Sequence, residues 1–180
     1  MKIEQIAFTG PSIKDLKYTF SLLGVDEWVQ DTVTAKGKVF GDDATNVAEL
    51  HFNYQMGFEL ELLEYKEGNN WLAHRDTDGP QLSHMGLHVT RSQMENIKRD
   101  MYKAKIYIAQ EVITQNHTNP GVQGRTYHYV VFDSRKRLGF DLKLIERIAP
   151  NNLCETKKCT LDFDVGSVTC IDCMEEARAK

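Results

Sequence analysis

The chain has 180 residues, 41% of them hydrophobic, and a formal net charge of -4. This length supports one large core or two small ones, and the composition is not that of a disordered chain. A mildly acidic chain has no broad basic field, which argues against a nucleic-acid or anionic-membrane surface. The start, MKIEQIAFTG, lacks the apolar region of a signal peptide, and no apolar run approaches the roughly 20 residues of a membrane span. We therefore expect a soluble, cytoplasmic protein with neither nucleic acid nor membrane as its partner.

The first two predicted elements recur about 80 residues further along the chain. IEQIAFT at 3–9 predicts a strand that aligns with LSHMGLH at 82–88, so that Gln5 falls opposite His84. A helix follows each strand, and the N-cap signals are Ser12 in the first helix and Ser92 in the second. The apolar helix positions have the same spacing in both copies: Ile13, Leu16, Phe20 and Leu23, then Met94, Ile97, Met101 and Ala104.

Three strands are predicted after each helix. In the first copy they are DTVTAKGKVF, VAELHFNY and FELELLEY, with GDDATN and QMG as turns. In the second copy they are IYIAQEVIT, RTYHYVVFD and FDLKLIER, with HTNPGVQG as a loop. The sequence therefore contains two copies of one β-α-β-β-β module, at about 1–78 and 79–148. We predict an α+β domain spanning 1–148.

Strand alternation predicts which side chains lie on the same face of the sheet. In GFELELLEY, Leu60 and Leu62 share the face that should lie under a helix, and Leu142 and Leu144 do so in GFDLKLIER. The opposite face of both strands is rich in polar groups and suits a wet, concave site. Its residues are Glu59, Glu61, Leu63 and Tyr65 in the first copy and Asp141, Lys143, Ile145 and Arg147 in the second.

The module order, the FSLLG helix end and the LELLEY type of fourth strand resemble the vicinal oxygen chelate superfamily, the group of glyoxalase I, bleomycin-resistance proteins and extradiol dioxygenases. The resemblance covers about residues 3–147. It implies a U-shaped mixed sheet around a polar cup that holds a divalent metal. Family members build the cup within one chain or between two chains, so a homodimer is compatible with it.

The family's metal ligands come from the first and fourth strands of each module. Carried over by position, they fall on Gln5, Glu61, His84 and Lys143. An amide oxygen, a carboxylate and an imidazole suit a divalent metal, but a protonated lysine has no lone pair and would repel one. Either Gln5, Glu61 and His84 hold a metal without Lys143, or the Lys143 ammonium occupies the metal position and pairs with Glu61.

Further cup residues follow from alternation, each with an ordinary structural alternative. His88 shares a strand face with His84 and is a candidate base or ligand contact, as is Glu61; an inward histidine can also be a simple hydrogen-bonding group. His51 is assigned to the cup as a ligand-binding residue. Lys143 and Arg147 would bind an anionic group, or form salt bridges with Asp141 and Glu59. Tyr129, with Tyr127, would stack on a planar ligand or pack in the core.

All four cysteines lie in the last 27 residues, within a segment at 149–180 that we treat as a separate tail. Two short-spaced pairs are typical of a tetrahedral zinc knuckle, with free thiols as the alternative. The tail has too few apolar residues to fold by burial alone, so a metal would supply the ordering free energy. Its acidic residues favour a structural or protein-contact role over DNA binding. The predicted zinc ligands are Cys154, Cys159, Cys170 and Cys173.

Two functions are compatible with these patterns. The first is a glyoxalase-type lyase or isomerase that uses a cup metal to polarise a small, oxygen-rich substrate. The second is a bleomycin-resistance-like protein that sequesters a small, anionic ligand without chemistry, with Lys143 in place of the metal. The Lys143 position distinguishes the two, because a fixed cation cannot exchange ligands as a metal does.

Overall fold

The computed structural model describes residues 3–73, 79–116 and 126–148, and two short strands at 160–164 and 167–170. The first module contains β1 (Ile3–Thr9), α1 (Ile13–Ser21), β2 (Val29–Val39), β3 (Asp42–Asn53) and β4 (Glu59–Gly68), then a single 3-10 turn (Trp71–Ala73). The second contains β5 (Gln81–His88), α2 (Arg91–Lys103), β6 (Ile108–Asn116), β7 (Thr126–Phe132), a short α3 (Arg135–Leu138) and β8 (Asp141–Ile148). The tail strands are β9 (Thr160–Asp164) and β10 (Ser167–Cys170).

The predicted α+β class and the two β-α-β-β-β modules are confirmed. The strand order is β8-β5-β1-β4-β3-β2-β6-β7, and β7 also pairs with β8. The first and fourth strands of each module pair in parallel, β1 with β4 and β5 with β8, and β1 pairs antiparallel with β5. The mixed sheet curls further than an open U, because β2 and β6 also pair and close it into an eight-stranded barrel.

The seam between β2 and β6 depends on a close backbone approach at Gly37. A Cβ atom at this position would lie 2.2 Å from the carbonyl oxygen of Glu111 and 2.6 Å from Cα of Val112. Only glycine leaves room for the neighbouring strand at that distance. Gly37 therefore permits the closure that brings the two modules together at their second strands.

Both helices pack on the outside of the barrel, as the leucine pattern predicts. Ile13 and Leu16 of α1 pack with Leu62, and Met94 of α2 packs with Val130 and Leu144. Ser12 caps α1 by accepting a hydrogen bond from the Asp15 amide, as predicted. The predicted cap at Ser92 is wrong: Thr90 caps α2 and forms a capping box with Gln93, because the helix begins one residue before Ser92.

One other expectation on local structure differs from the fold. The predicted turn GDDATN mostly belongs to β3, which begins at Asp42 and pairs with β2 from Asp42 to Phe52. The tail contains an antiparallel hairpin, β9 and β10, attached to the end of β8 through pairings of Arg147 with Leu161 and Ile148 with Thr160. The HTNPGVQG loop lies outside the described residues. Within the described part of the chain, no helix is long and apolar enough to span a membrane.

The inside of the barrel combines an apolar cluster with a layer of buried polar residues. The apolar cluster includes Ala35, Leu72, Val112, Val131 and Ile145, with Tyr65, Trp71 and Tyr127 packed against it. The polar layer comes from β1, β4, β5 and β8, the four strands that lie side by side. These four strands therefore position the candidate site.

We predict that Gly37→Ala destabilises the protein by about 1–3 kcal/mol, because the added methyl group overpacks the seam. Gly79→Ala is the matched control, since a Cβ there meets nothing within 4 Å. Urea unfolding of the two variants checks the prediction. Equal stability of both would show that the barrel is not closed at β2 and β6.

Candidate functional site

The four residues assigned by position to the metal ligands converge inside the barrel. Strand register explains this, because Ala7 at the centre of β1 lies beside both Glu61 and His84, while Gly86 lies beside both Gln5 and Lys143. Gly86 leaves space for the Gln5 side chain, because a Cβ atom at this position would lie 2.8 Å from the Gln5 Oε1 atom. The exposed fractions are 3% for Gln5, 1% for Glu61, 0% for His84 and 7% for Lys143.

The imidazole of His84 lies at the centre of the group. Its Nε2 atom is 3.0 Å from Gln5 Oε1, 3.1 Å from Glu61 Oε2 and 3.3 Å from Lys143 Nζ. Lys143 Nζ is 3.7 Å from Glu61 Oε2 and 4.7 Å from the centroid of the Tyr129 ring. The Lys143 ammonium therefore contacts a carboxylate, an imidazole and an aromatic face at once, and each of these stabilises a buried cation.

The charges of this group are coupled. Burial alone would raise the pKa of Glu61, but the nearby Lys143 ammonium and the contacts with His84 hold it below its usual range. Burial and the Lys143 charge lower the pKa of His84 to about 4. At neutral pH the group consists of one carboxylate, one ammonium and one neutral imidazole, so its net charge is close to zero.

This donor set does not fit the divalent metal that the family resemblance implies. Gln5, Glu61 and His84 supply three suitable donor atoms around one point. The Lys143 ammonium already lies against two of those atoms, and its side chain is only 9% exposed, so it has no easy way out to solvent. A divalent ion beside a buried ammonium would meet strong like-charge repulsion at low dielectric.

Hydrogen bonds extend the polar layer toward the barrel end where β1 and β4 begin, here called the cup end. Gln5 Nε2 donates to Glu59 Oε1, and the Tyr54 hydroxyl donates to Glu59 Oε2 at 3.2 Å. Tyr54 is 42% exposed and lines a surface depression of about 440 Å³ together with Trp28 and Gln55. The buried group at His84 is therefore connected to solvent at the cup end through Gln5, Glu59 and Tyr54.

The opposite barrel end is closed by the 3-10 turn. Trp71 Nε1 donates to Asp141 Oδ2 at 3.0 Å, and the Trp71 amide donates to Gln110 Oε1 at 2.7 Å. Gln110 Nε2 in turn donates to the Tyr129 hydroxyl at 3.1 Å. Tyr129 thus faces inward as predicted. Burial and the Glu61 charge raise its pKa well above the usual range, so the phenol remains neutral.

His51 is corrected by the structure. It lies opposite Leu62 in the β3–β4 pair, on the outer face beside α1, so it does not line the cup. The sequence assigned it inward because β3 was treated as having an apolar side under the helix. In the fold, Phe52 and Leu50 instead face the barrel interior opposite Glu61 and Leu63.

The other predicted cup residues are distributed as follows. His88 Nε2 pairs with Glu4 Oε2 at 3.4 Å near the cup end, at a different point from the His84 group. Lys143 pairs with Glu61, and Asp141 accepts a hydrogen bond from Trp71. Only the backbone of Arg147 is described.

The cysteine prediction falls largely outside the described residues. Cys154, Cys159 and Cys173 are not described, and Cys170 is described only as the last backbone position of β10. Zinc at these cysteines stays a prediction.

Sequence reasoning missed the residues that link the layer to both barrel ends, Tyr54, Gln110 and Trp71. It also missed Glu49, Glu64 and Lys66 around His51 on the outer face. Alternation alone places Glu49 and His51 on one face, but Glu64 joins them only through the register that sets Glu49 opposite Glu64. Strand register depends on tertiary pairing, which one sequence does not show.

The architecture matches the vicinal oxygen chelate fold. A solved structure of methylmalonyl-CoA epimerase from Mycobacterium tuberculosis is similar over 83% of this chain and 89% of that one, at 12% identity and a TM-score of 0.53. The chain therefore has this fold, with two modules in one polypeptide.

Two further solved structures are similar to the chain with lower TM-scores. A hypothetical protein from Bacillus halodurans shares 15% identity over 80% of this chain and 92% of its own, with a TM-score of 0.48. Methylmalonyl-CoA epimerase from Streptomyces coelicolor shares 10% identity over 81% and 96%, with a TM-score of 0.44. No protein-family model and no curated protein matches the sequence.

We predict that Lys143→Met destabilises the protein by about 3–5 kcal/mol at pH 7, because the buried Glu61 carboxylate loses its ion-pair partner. Adding Glu61→Gln should recover a large part of that loss, since the amide carries no charge. A double-mutant cycle measured by urea unfolding checks this coupling. Additive losses would mean that Lys143 and Glu61 do not form a buried pair.

The lowered pKa of His84 predicts a pH dependence of stability. In the unfolded chain this histidine becomes protonated with a pKa of 6.5, whereas in the folded protein its pKa is about 4. Stability should therefore fall as the pH drops from 6.5 to 4, by an amount on the order of 3 kcal/mol from this one group. Urea unfolding should show a shallower loss in His84→Gln over that window. Identical slopes in both proteins would contradict a buried neutral His84.

Proposed function

We propose that the protein is a vicinal-oxygen-chelate-fold protein that binds a small, oxygen-rich molecule without a cup metal, and that Lys143 takes the place of the metal. The observation that carries this proposal is the position of Lys143 Nζ, 3.3 Å from His84 Nε2 and 3.7 Å from Glu61 Oε2. A lysine here fixes the charge that a metal would supply but offers no exchangeable coordination position.

The cup end is the part of the barrel best suited to meet a ligand. It exposes Tyr54, whose hydroxyl connects through Glu59 and Gln5 to the buried His84. Trp28 lines the same depression. Aromatic walls with a few polar groups are typical of small-molecule sites.

The charge of the ligand depends on Arg147 more than on Lys143. Lys143 is already paired with Glu61, so its ammonium is not free to bind an anion. Arg147 lies two residues after Ile145 near the end of β8, and we propose that a guanidinium at this position would favour a carboxylate or phosphate. An anionic ligand is therefore part of the proposal through Arg147.

The competing proposal is a metal-dependent lyase or isomerase. It is supported by three donor atoms, from Gln5, Glu61 and His84, that meet around one point. It requires Lys143 to leave that point when the metal binds. We favour the binding function because the Lys143 side chain is enclosed and contacts three neighbours. A cytoplasmic location and a homodimer stay predictions.

The test is a Co²⁺ titration of the full-length wild type and of Lys143→Glu, monitored by visible absorption. Thiolate-to-cobalt charge-transfer bands report the tail cysteines, so bands lacking that character report nitrogen and oxygen ligands. The proposal predicts no cobalt at Gln5, Glu61 and His84 in the wild type. It predicts a new site in Lys143→Glu, lost again on adding His84→Gln.

Wild-type cobalt binding that disappears in His84→Gln would favour the metal-dependent enzyme. A second experiment tests the ligand with malonate and inorganic phosphate as oxyanion probes. Each should shift the backbone NMR signals around Tyr54 and Glu59. Mannitol is the neutral control. Absence of shifts with every probe would remove the support for a cup-end ligand site.

A further inference from the structure

A second polar cluster lies on the outer face of β3 and β4, on the opposite side of the sheet from the cup. Glu49 and His51 are two residues apart on β3 and share one face, and Glu64 lies directly opposite Glu49 on β4. One ligand atom from each of these three side chains lies within 4.8 Å of the other two. We call Glu49, His51 and Glu64 the outer triad.

His51 is the most enclosed member of the outer triad. It is only 4% exposed, and neither of its ring nitrogens makes a hydrogen bond to a described residue. Nε2 lies 3.1 Å from Glu49 Oε1, close enough for an ion pair but without the alignment of a hydrogen bond. A buried imidazole whose nitrogens make no hydrogen bond is suited to bind a metal ion.

We propose that the outer triad is a divalent metal site, with Glu49, His51 and Glu64 as ligands and Zn²⁺ or Mn²⁺ as the class of ion. One imidazole and two carboxylates are a donor set that both ions accept. Tetrahedral zinc with nitrogen and oxygen ligands needs neighbouring donors about 3.4 Å apart. His51 and Glu49 are already near this separation, and a small rotation of the exposed Glu64 side chain would complete it.

Lys66 marks the position that a cation prefers. Its Nζ atom lies 3.0 Å from Glu49 Oε2 and 2.7 Å from Glu64 Oε1, so it bridges the two carboxylates. The Lys66 side chain is 41% exposed and can turn into solvent at little cost, because exposed ion pairs are weak. A divalent ion that replaces it would balance the two carboxylate charges.

The outer triad is also open to solvent. The side chains of Glu49 and Glu64 are 21% and 46% exposed, which leaves an entry path and room for water as a further ligand. This separates the outer triad from the cup, where Lys143 is enclosed. The proposal does not depend on the proposed function, since it uses the other face of the sheet.

The test uses the full-length protein and Mn²⁺, a hard ion that thiolates bind poorly. Substoichiometric Mn²⁺ should broaden the backbone NMR signals of residues 49–51 and 64–66 before those of residues 84 and 143. In a Co²⁺ titration, His51→Gln should weaken the nitrogen and oxygen site by about tenfold or more. Lys66→Ala should tighten it by about three- to tenfold, because the competing ammonium is gone.

Lys98→Ala is the matched control, since Lys98 also bridges two glutamates, Glu95 and Glu111, but on the second module. It should leave cobalt affinity unchanged. Broadening centred on residues 84 and 143, cobalt bands of thiolate character alone, or unchanged affinity in Lys66→Ala would each overturn the proposal. The broadening experiment is done on the wild type, so its result does not depend on whether His51→Gln folds.

Discussion

The ion pair between Lys143 and Glu61, with His84 beside it, is the interaction on which the barrel interior depends. It places a carboxylate and an ammonium almost out of reach of water, and each is tolerable there only because the other is present. The same charges keep His84 neutral, with a pKa of about 4. Gln5 and Tyr129 complete the surroundings of the pair, so one substitution in this layer alters the protonation of its neighbours.

The fold explains why a cation lies at this point. The first and fourth strands of both modules are neighbours in the sheet, and they deliver Gln5, Glu61, His84 and Lys143 to one level of the barrel. Three of these positions supply oxygen or nitrogen donors, and the fourth supplies its own positive charge. The outer triad repeats this arrangement with Lys66 between two carboxylates, but there the lysine is exposed and replaceable. The two faces of one sheet thus hold a fixed cation and an exchangeable one.

Much of this arrangement could be predicted from the sequence, because the repeat and the alternation of GFELELLEY and GFDLKLIER set the module order and the inward face of β4 and β8. The resemblance assigned Gln5 and His84 to the same point. The features that the sequence did not show depend on strand pairing. His51 faces outward because β3 puts its apolar side inside, and the sheet closes into a barrel because β2 pairs with β6 at Gly37. The N-cap of α2 is Thr90 and not the predicted Ser92, because Thr90 and Gln93 form a capping box.

The central claim is that an ammonium, and not a metal, occupies the centre of the Gln5, Glu61 and His84 group. A crystal structure of the full-length protein grown with Zn²⁺, with anomalous data at the zinc edge, tests it most directly. The account predicts no anomalous peak at that centre and the Lys143 nitrogen within hydrogen-bonding distance of His84. An anomalous peak about 2.0–2.2 Å from His84 Nε2 and Glu61, with Lys143 turned away, would contradict it.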